Sequence, residues 1–284
     1  MNVAVVGCGN VGSNLLQYIA GMPSIDGIFA IGREGFDAKV KAAILDVAGY
    51  KPRDAHKIIG ANRSSLKEAD IIVMTAGFKA EKGESPRETM KRNLSIVDHN
   101  LEGVKVKDSA IIINIGGPIE IVTSYLQRKS ELSQAQVMGF GGDLDFNRLI
   151  YVLEERGFEA KGTAIVGEHG LRTIPVYDGG RDYDVISIKV RCFLEEIGEL
   201  SGQKRNLATA PLLANLIRDV IEDTGRIHYI SGYHHDYHRY ITWPYRIGRR
   251  GILEPERLVL PSRAKRELDS LLELKDKEER DLVI

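Results

Sequence analysis

The sequence predicts an α/β fold: a Rossmann-type doubly wound parallel sheet followed by a smaller α+β domain. Three observations predict it. A buried-strand run at 2–6 passes directly into Gly7-Cys8-Gly9-Asn10-Val11-Gly12 and then into helical spacing at 13–20. Short apolar runs then alternate with helical stretches as far as residue 140, as parallel βαβ units require. Beyond 141 the alternation gives way to longer helices and paired strand-like runs.

The chain has 284 residues, enough for one large domain or two closely packed ones. Hydrophobic residues make up 43% and charged residues 28%, an ordinary soluble mix. A net charge of −1 gives no bulk attraction to nucleic acid or an anionic membrane, so neither is expected as a partner. There is no long apolar span, and the first apolar run lacks a basic flank and breaks at Gly7. Neither a transmembrane helix nor a signal peptide is therefore expected. The only two cysteines are Cys8, inside the glycine loop, and Cys192, which argues against a disulfide framework and for a reducing, cytoplasmic setting.

Taken in order, the loop at 7–12 is G-x-G-x-x-G in its demanding context, after a strand and opening a helix. Gly7 permits the tight turn, Gly9 lets backbone approach a pyrophosphate, and Gly12 allows close packing. Asn10 and Val11 lie between the glycines, before the helix whose N-terminal N–H groups and positive dipole face the phosphates. The next strand, 27–31, ends in Gly32-Arg33-Glu34 rather than in an acidic residue. Room and a guanidinium at that point favour a 2′-phosphate, hence NADP over NAD; the alternative is that Glu34 holds the ribose hydroxyls. Helical spacing at 40–50 leads to a buried strand at 70–74 and to Thr75-Ala76-Gly77, small residues across which a cofactor can lie. A polar loop at 78–87, a helix at 88–104, a strand at 109–114, the break Gly116-Gly117-Pro118, a helix at 119–128 and a strand at 136–140 complete the pattern.

In the second half, Asp145 and Arg148 share one face of a helix running from 141 through 153. A short apolar run at 163–166 stops at Gly167 and hands over Glu168 and His169. Helices are expected at 185–200, 206–222 and 263–274, and strands at 226–230 and 237–245. The aromatic run 229–245 reads as a sheet edge or a subunit contact. His228, His234, His235, Asp236 and His238 are zinc-compatible residue types, but neighbours in an extended segment point to opposite faces, so no metal site is assigned.

These motifs resemble, in order, those of the lactate/malate dehydrogenases, the NAD(P)-dependent 2-hydroxy-acid dehydrogenases. They are GCGNVGS at 7–13, Thr75-Ala76-Gly77, KGES at 82–85 leading to Arg87, NLSIV at 93–97, Pro118-Ile119-Glu120, Leu144-Asp145-x-x-Arg148 and Gly167-Glu168-His169-Gly170. Arg246-Ile247-Gly248-Arg249-x-Gly251 follows. The resemblance covers nearly the whole chain. It implies a dinucleotide-binding domain over 1–141, a catalytic domain over 142–284, and hydride transfer between NAD(P) and a small 2-hydroxy or 2-oxo acid in a homodimer or homotetramer. It also implies roles. His169 would exchange the proton, oriented by Asp145; Arg148 would anchor the substrate carboxylate; and Arg87 would polarise the carbonyl. Asn93 and Asn114 would lie near the nicotinamide and the substrate oxygen, and Thr209 in the substrate pocket. Three departures stand beside the matches. The loop arginine's place holds Pro86, with Arg87 one later; the side-chain-reading place holds Ala80; and an expected asparagine before Pro118 is Gly117. They motivate a second expectation, a dinucleotide-binding sensor or interaction module with impaired catalysis.

Overall fold

The computed structural model describes residues 1–33, 37–78, 84–177, 180–201 and 207–282. The first half forms β1 (Asn2–Val6), α1 (Asn10–Ile19), β2 (Gly27–Ile31), α2 (Asp37–Tyr50), the one-turn α3 (Pro52–Ala55), β3 (Ile58–Ala61) and β4 (Ile71–Met74). It continues with α4 (Pro86–Leu101), β5 (Ile111–Asn114), α5 (Ile119–Ser130) and β6 (Val137–Phe140). The second half adds α6 (Gly142–Glu155), β7 (Ala164–Gly167), β8 (Thr173–Val176), α7 (Tyr183–Arg191), α8 (Phe193–Ser201) and α9 (Thr209–Glu222). Strands β9 (Arg226–His234), β10 (Arg239–Gly248) and β11 (Gly251–Pro255) and helix α10 (Ser262–Leu282) follow.

One hydrogen-bonded sheet runs in the order β3-β2-β1-β4-β5-β6-β9-β10-β7-β8, with β11 on β10. The pairings from β3 to β6 are parallel. At β6 the sense changes, and β9 pairs antiparallel through Gly139–Ser231 and Phe140–Ile230. Successive strand residues face opposite sides. Val3 and Val5 therefore pack with Leu15, Leu16 and Ile19 of α1, whereas Ala4 and Val6 pack with Val97 and Leu101 of α4 and Val122 and Leu126 of α5. Burial on both faces explains why these strands are unbroken apolar runs rather than alternating ones. Leu213, Leu216, Ile217 and Val220 of α9 join the α1 side, so the helix bearing Thr209 is anchored on the first half of the chain.

Several expected boundaries are corrected. The helix expected at 88–104 starts at Pro86, with Ser85 and Glu88 forming a reciprocal capping box. The Ser-x-x-Glu signature and a proline at the first helical position were the available signal. The helix expected at 185–200 breaks at Cys192 into α7 and α8. The aromatic run is not a sheet edge: β9 and β10 lie between β6 and β7, and Tyr240, Trp243 and Tyr245 are buried. Strands β3, β8 and β11 were not expected. They are four or five residues long, and Pro175 inside β8 argues against a strand, yet β8 ends the sheet order, where proline is tolerated.

Candidate active site

The glycine loop at the end of β1 is shaped for close approach. Gly7 sits at φ +100°, and a Cβ there would lie 2.7 Å from the Ala76 backbone; one on Gly12 would lie 1.9 Å from the Gly7 carbonyl oxygen. Thr75 clasps the loop by donating through Oγ1 to the Val6 and Gly7 carbonyls. Gly9, the N-cap of α1, offers no side-chain acceptor to the first-turn N–H groups, so those donors suit an anion. In front of them lies a cleft of about 630 Å³, lined by Gly7, Gly9, Gly32, Arg33, Thr75, Ala76, Gly77 and Phe78 together with Lys39, Ser95, His99 and Asn100. An uncapped helix N-terminus, a backbone cradle that a Cβ would fill and a flanking pair of cations fit a dinucleotide.

Arg33 is exposed at the cleft wall, its guanidinium carbon 5.2 Å from the Phe78 ring centroid, and Arg92 covers the same ring at 4.1 Å. Glu34, the alternative ribose reader, lies outside the described residues. Asn93 and Asn114, expected at the ligand, are turned to bracing the loops behind it. The Asn93 Oδ1 accepts from the Phe78 N–H at 2.7 Å and its Nδ2 donates to the Gly117 carbonyl at 2.6 Å. Asn114 is 1% exposed; its amide donates to Gly116 and Thr123 at 3.0 Å and accepts from the Gly116 N–H at 2.8 Å. With donor and acceptor both satisfied internally, Asn114 shapes the 116–118 turn instead of offering a free amide.

The chemistry gathers on Asp145, in the first turn of α6 and 1% exposed. Its Oδ2 accepts from the His169 ring Nδ1 at 2.7 Å, the Gly170 N–H at 2.9 Å and the Thr173 hydroxyl at 2.8 Å. Its Oδ1 accepts from Arg148 at 2.6 Å. A carboxylate can only accept, so the pair places a proton on Nδ1 and directs Nε2 to proton exchange. Burial works against charge on both partners, but their mutual attraction wins. It holds the Asp145 carboxyl below its usual range, helped by Arg148, and raises the His169 imidazole above its own. A Cβ on Gly141, just before α6, would lie 2.5 Å from the His169 ring, so the missing side chain makes room for the imidazole.

A second carboxylate approaches from α5. Glu120 is buried and accepts from the His169 backbone N–H and the Thr242 hydroxyl, each at 3.1 Å. Burial, and then the charge of Glu168, push its carboxyl up to about 7. Glu168 in turn pairs with Lys275 of α10 at 2.6 Å and with Arg172 at 3.1 Å. The sequence offered Glu120 only as part of a motif; nothing local shows that it meets a residue 49 positions away.

Arg148 and Thr209 meet in a second cleft of about 450 Å³ between α6, α8 and the start of α9. Arg87 does not join them: it is exposed in the first turn of α4 and lines neither cleft. The expected delivery of Arg87 to the carbonyl is thus not the arrangement found, because the capping box places Pro86 and Arg87 on the helix rather than in the loop. Ala80, with Lys79 and Glu81, lies outside the described residues. Of the histidine group, His228 is bound between Asp143 at 2.7 Å and Asp219 at 2.9 Å, and His234 packs edge-on to Trp243. Among the described residues no group of three or more His, Cys, Asp or Glu side chains could hold a metal ion.

Residues 1–139 match the family model described as lactate/malate dehydrogenase, NAD binding domain. A malate dehydrogenase of Thermoplasma volcanium is 24% identical over 295 residues, covering 89% of this chain and 87% of that protein. L-lactate dehydrogenase B of Hordeum vulgare is 25% identical over 284 residues, covering 88% and 82%. Residues 1–139 thus match the NAD binding domain of the lactate/malate dehydrogenases, and the likeness to members of that family runs through most of the chain. Among solved structures, a lactate dehydrogenase from a Medee basin deep-sea metagenome library superposes with a TM-score of 0.86 at 20% identity, covering 100% of this chain and 99% of that one. The malate dehydrogenase of Aeropyrum pernix gives 0.83 at 23% identity, covering 97% and 96%. The family fold therefore extends through the half that the family model leaves unmatched. Both activities appear among the relatives at similar identity, so likeness alone does not choose the substrate of this lactate/malate dehydrogenase relative.

Proposed function

We propose that the protein is an NAD(P)-dependent oxidoreductase acting on a small 2-hydroxy/2-oxo acid, with residues 1–141 holding the dinucleotide and 142–284 the substrate. The observation that carries this reading is the single buried carboxylate of Asp145, which holds His169 on one oxygen and Arg148 on the other. Arg148 binds the substrate carboxylate through its remaining donors, which fixes the carbonyl relative to His169. When bound, the nicotinamide supplies or accepts the hydride at the carbonyl carbon. During reduction the carbonyl π pair moves to oxygen and the His169 imidazolium gives that oxygen its proton; oxidation returns the proton to Nε2. Asp145 stabilises the charged ring in both directions. With Arg87 on α4, the His169 imidazolium and Arg148 are, among the described residues, the cations we assign to the developing oxyanion.

Position and charge support NADP as the preferred cofactor: Arg33 and Lys39 both line the cleft where β2 ends. Arg33→Ala is expected to weaken NADPH binding about tenfold or more and NADH little, read by fluorescence titration; equal losses would remove Arg33 as the phosphate reader. The two unpaired cysteines fit a reducing, cytoplasmic setting, and a homodimer or homotetramer is the assembly we assign, checked by light scattering.

The main test is turnover of NADPH and NADH with a panel of 2-oxo acids, beside His169→Asn. That variant should lose about two to four orders of magnitude in kcat while dinucleotide affinity stays within twofold. Tight dinucleotide binding with no turnover on any acid would favour a binding module instead.

A further inference from the structure

The cleft that holds Arg148 is unlike a pocket for a dicarboxylate or for pyruvate. Its described walls are Leu144 and Tyr151 of α6, Phe193, Leu194 and Ile197 of α8, and Leu212 of α9, among others. Arg148 is the only charged side chain among the described lining residues, and Asn147, Tyr151 and Thr209 are the only other polar ones. The apolar wall is built by helix spacing: Phe193 and Ile197 stand four apart on α8, and Thr209 and Leu212 three apart on α9. The Phe193 ring centroid is 5.9 Å from the Arg148 guanidinium carbon and packs edge-on against Tyr151 at 5.8 Å. At about 450 Å³ the space is in the range of small-molecule sites, and pyruvate, whose side chain is a single methyl, would leave most of it unfilled.

Resting on the reading of Arg148 as the carboxylate anchor, we infer that the preferred substrate is a monocarboxylic 2-oxo acid with a bulky apolar side chain, branched aliphatic or aryl. Among its described lining residues the cleft supplies one cation for one carboxylate. A distal carboxylate, as in oxaloacetate, would lie among leucine, isoleucine and phenylalanine with no second cation among the described lining residues, which is unfavourable. An apolar side chain there gains burial with each methylene instead. Position also matters. Asp145 holds Arg148 on one oxygen and His169 on the other, which keeps the anchor of the acid and the proton donor on a single carboxylate.

The experiment compares kcat/KM of the full-length protein for 4-methyl-2-oxopentanoate, phenylpyruvate, pyruvate and oxaloacetate with saturating NADPH or NADH, and repeats it for Ile197→Trp. The expected result is a preference of about tenfold or more for an apolar acid over both pyruvate and oxaloacetate. Ile197→Trp, which fills the cleft, should lower kcat/KM for the bulky acids about tenfold more than for pyruvate. Turnover led by oxaloacetate or pyruvate would overturn the inference and leave the dehydrogenase reading intact. No turnover with any of the four, with dinucleotide still bound, would overturn that reading and the inference with it.

Discussion

Asp145 takes four donors on two oxygens, from His169, Gly170, Thr173 and Arg148. So many donors fix the carboxylate as an anion, and the anion fixes the imidazole. The sign of its influence can be worked out. A raised imidazole keeps its proton to higher pH, so reduction, which needs the imidazolium, should fall as pH rises through that raised value. Asp145→Asn removes the main charge that raises His169. The fall in kcat/KM for reduction should then move to lower pH, with a loss of about two orders of magnitude or more at neutral pH. A profile that keeps its midpoint would show that Asp145 does not set the imidazole's proton affinity. At this scale the sequence was informative where spacing is local. Asp145 and Arg148 lie three apart on one helix face, and Gly167 to Gly170 is a strand end. It was silent about Gly141 and Glu120, whose contacts with His169 cross 28 and 49 positions and exist only once β7 stands beside α5 and α6.

Helix α6 carries a second aspartate–histidine pair in the same turn. Asp143 accepts from the His228 Nδ1 at 2.7 Å and from the Tyr229 N–H at 2.7 Å, while Asp219 of α9 takes the other ring nitrogen at 2.9 Å. Two acceptors on two ring nitrogens require an imidazolium. Burial opposes the charge, but Asp143 and Asp219 together raise His228 above its usual value. The ring thus pins α6, which bears Asp145 and Arg148, to α9, which bears Thr209. His228→Ala leaves Asp219 with Thr224 at 2.9 Å and Arg226 at 3.7 Å but takes away the ring donor, and should cost about 1–3 kcal/mol of unfolding free energy in urea titrations near pH 6. For a histidine raised by folding, the stabilisation is full below the unfolded value and is lost as pH rises through the folded one. The difference between wild type and variant should therefore shrink on the alkaline side. A difference that ignores pH would mean the ring is held neutral. At the scale of elements, the parallel half was legible because strands buried on both faces write themselves as apolar runs. The antiparallel half was less so. Its strands β8 and β11 are short and carry prolines, and the break at Cys192 is marked by neither glycine nor proline.

Across the whole molecule, the buried acids Glu120 and Glu168 join elements far apart in sequence. Glu120 ties α5 to β10 and to the residue after β7, and Glu168 reaches Lys275 on the last helix, 5% exposed. Lys275 and Arg172 both pair with Glu168, whereas burial and then the neighbouring Glu168 charge disfavour a charge on Glu120. Its carboxyl stands at about 7 when folded against an ordinary value of 4.5, so the folded protein binds that proton more tightly than the unfolded chain. Stability from this group is therefore highest at low pH and declines as pH rises between the two values, the reverse of a salt-bridged carboxylate. Glutamine keeps an oxygen that can accept from His169 and Thr242 and carries no charge at any pH. Glu120→Gln should match the wild type near pH 4.5 and exceed it by about 1–3 kcal/mol above neutrality, so the gap between the two melting temperatures should open with pH. Melts run in steps across that range decide it: a gap that stays constant, or one that closes on the alkaline side, would show that the protonated form of Glu120 is not the one the fold prefers.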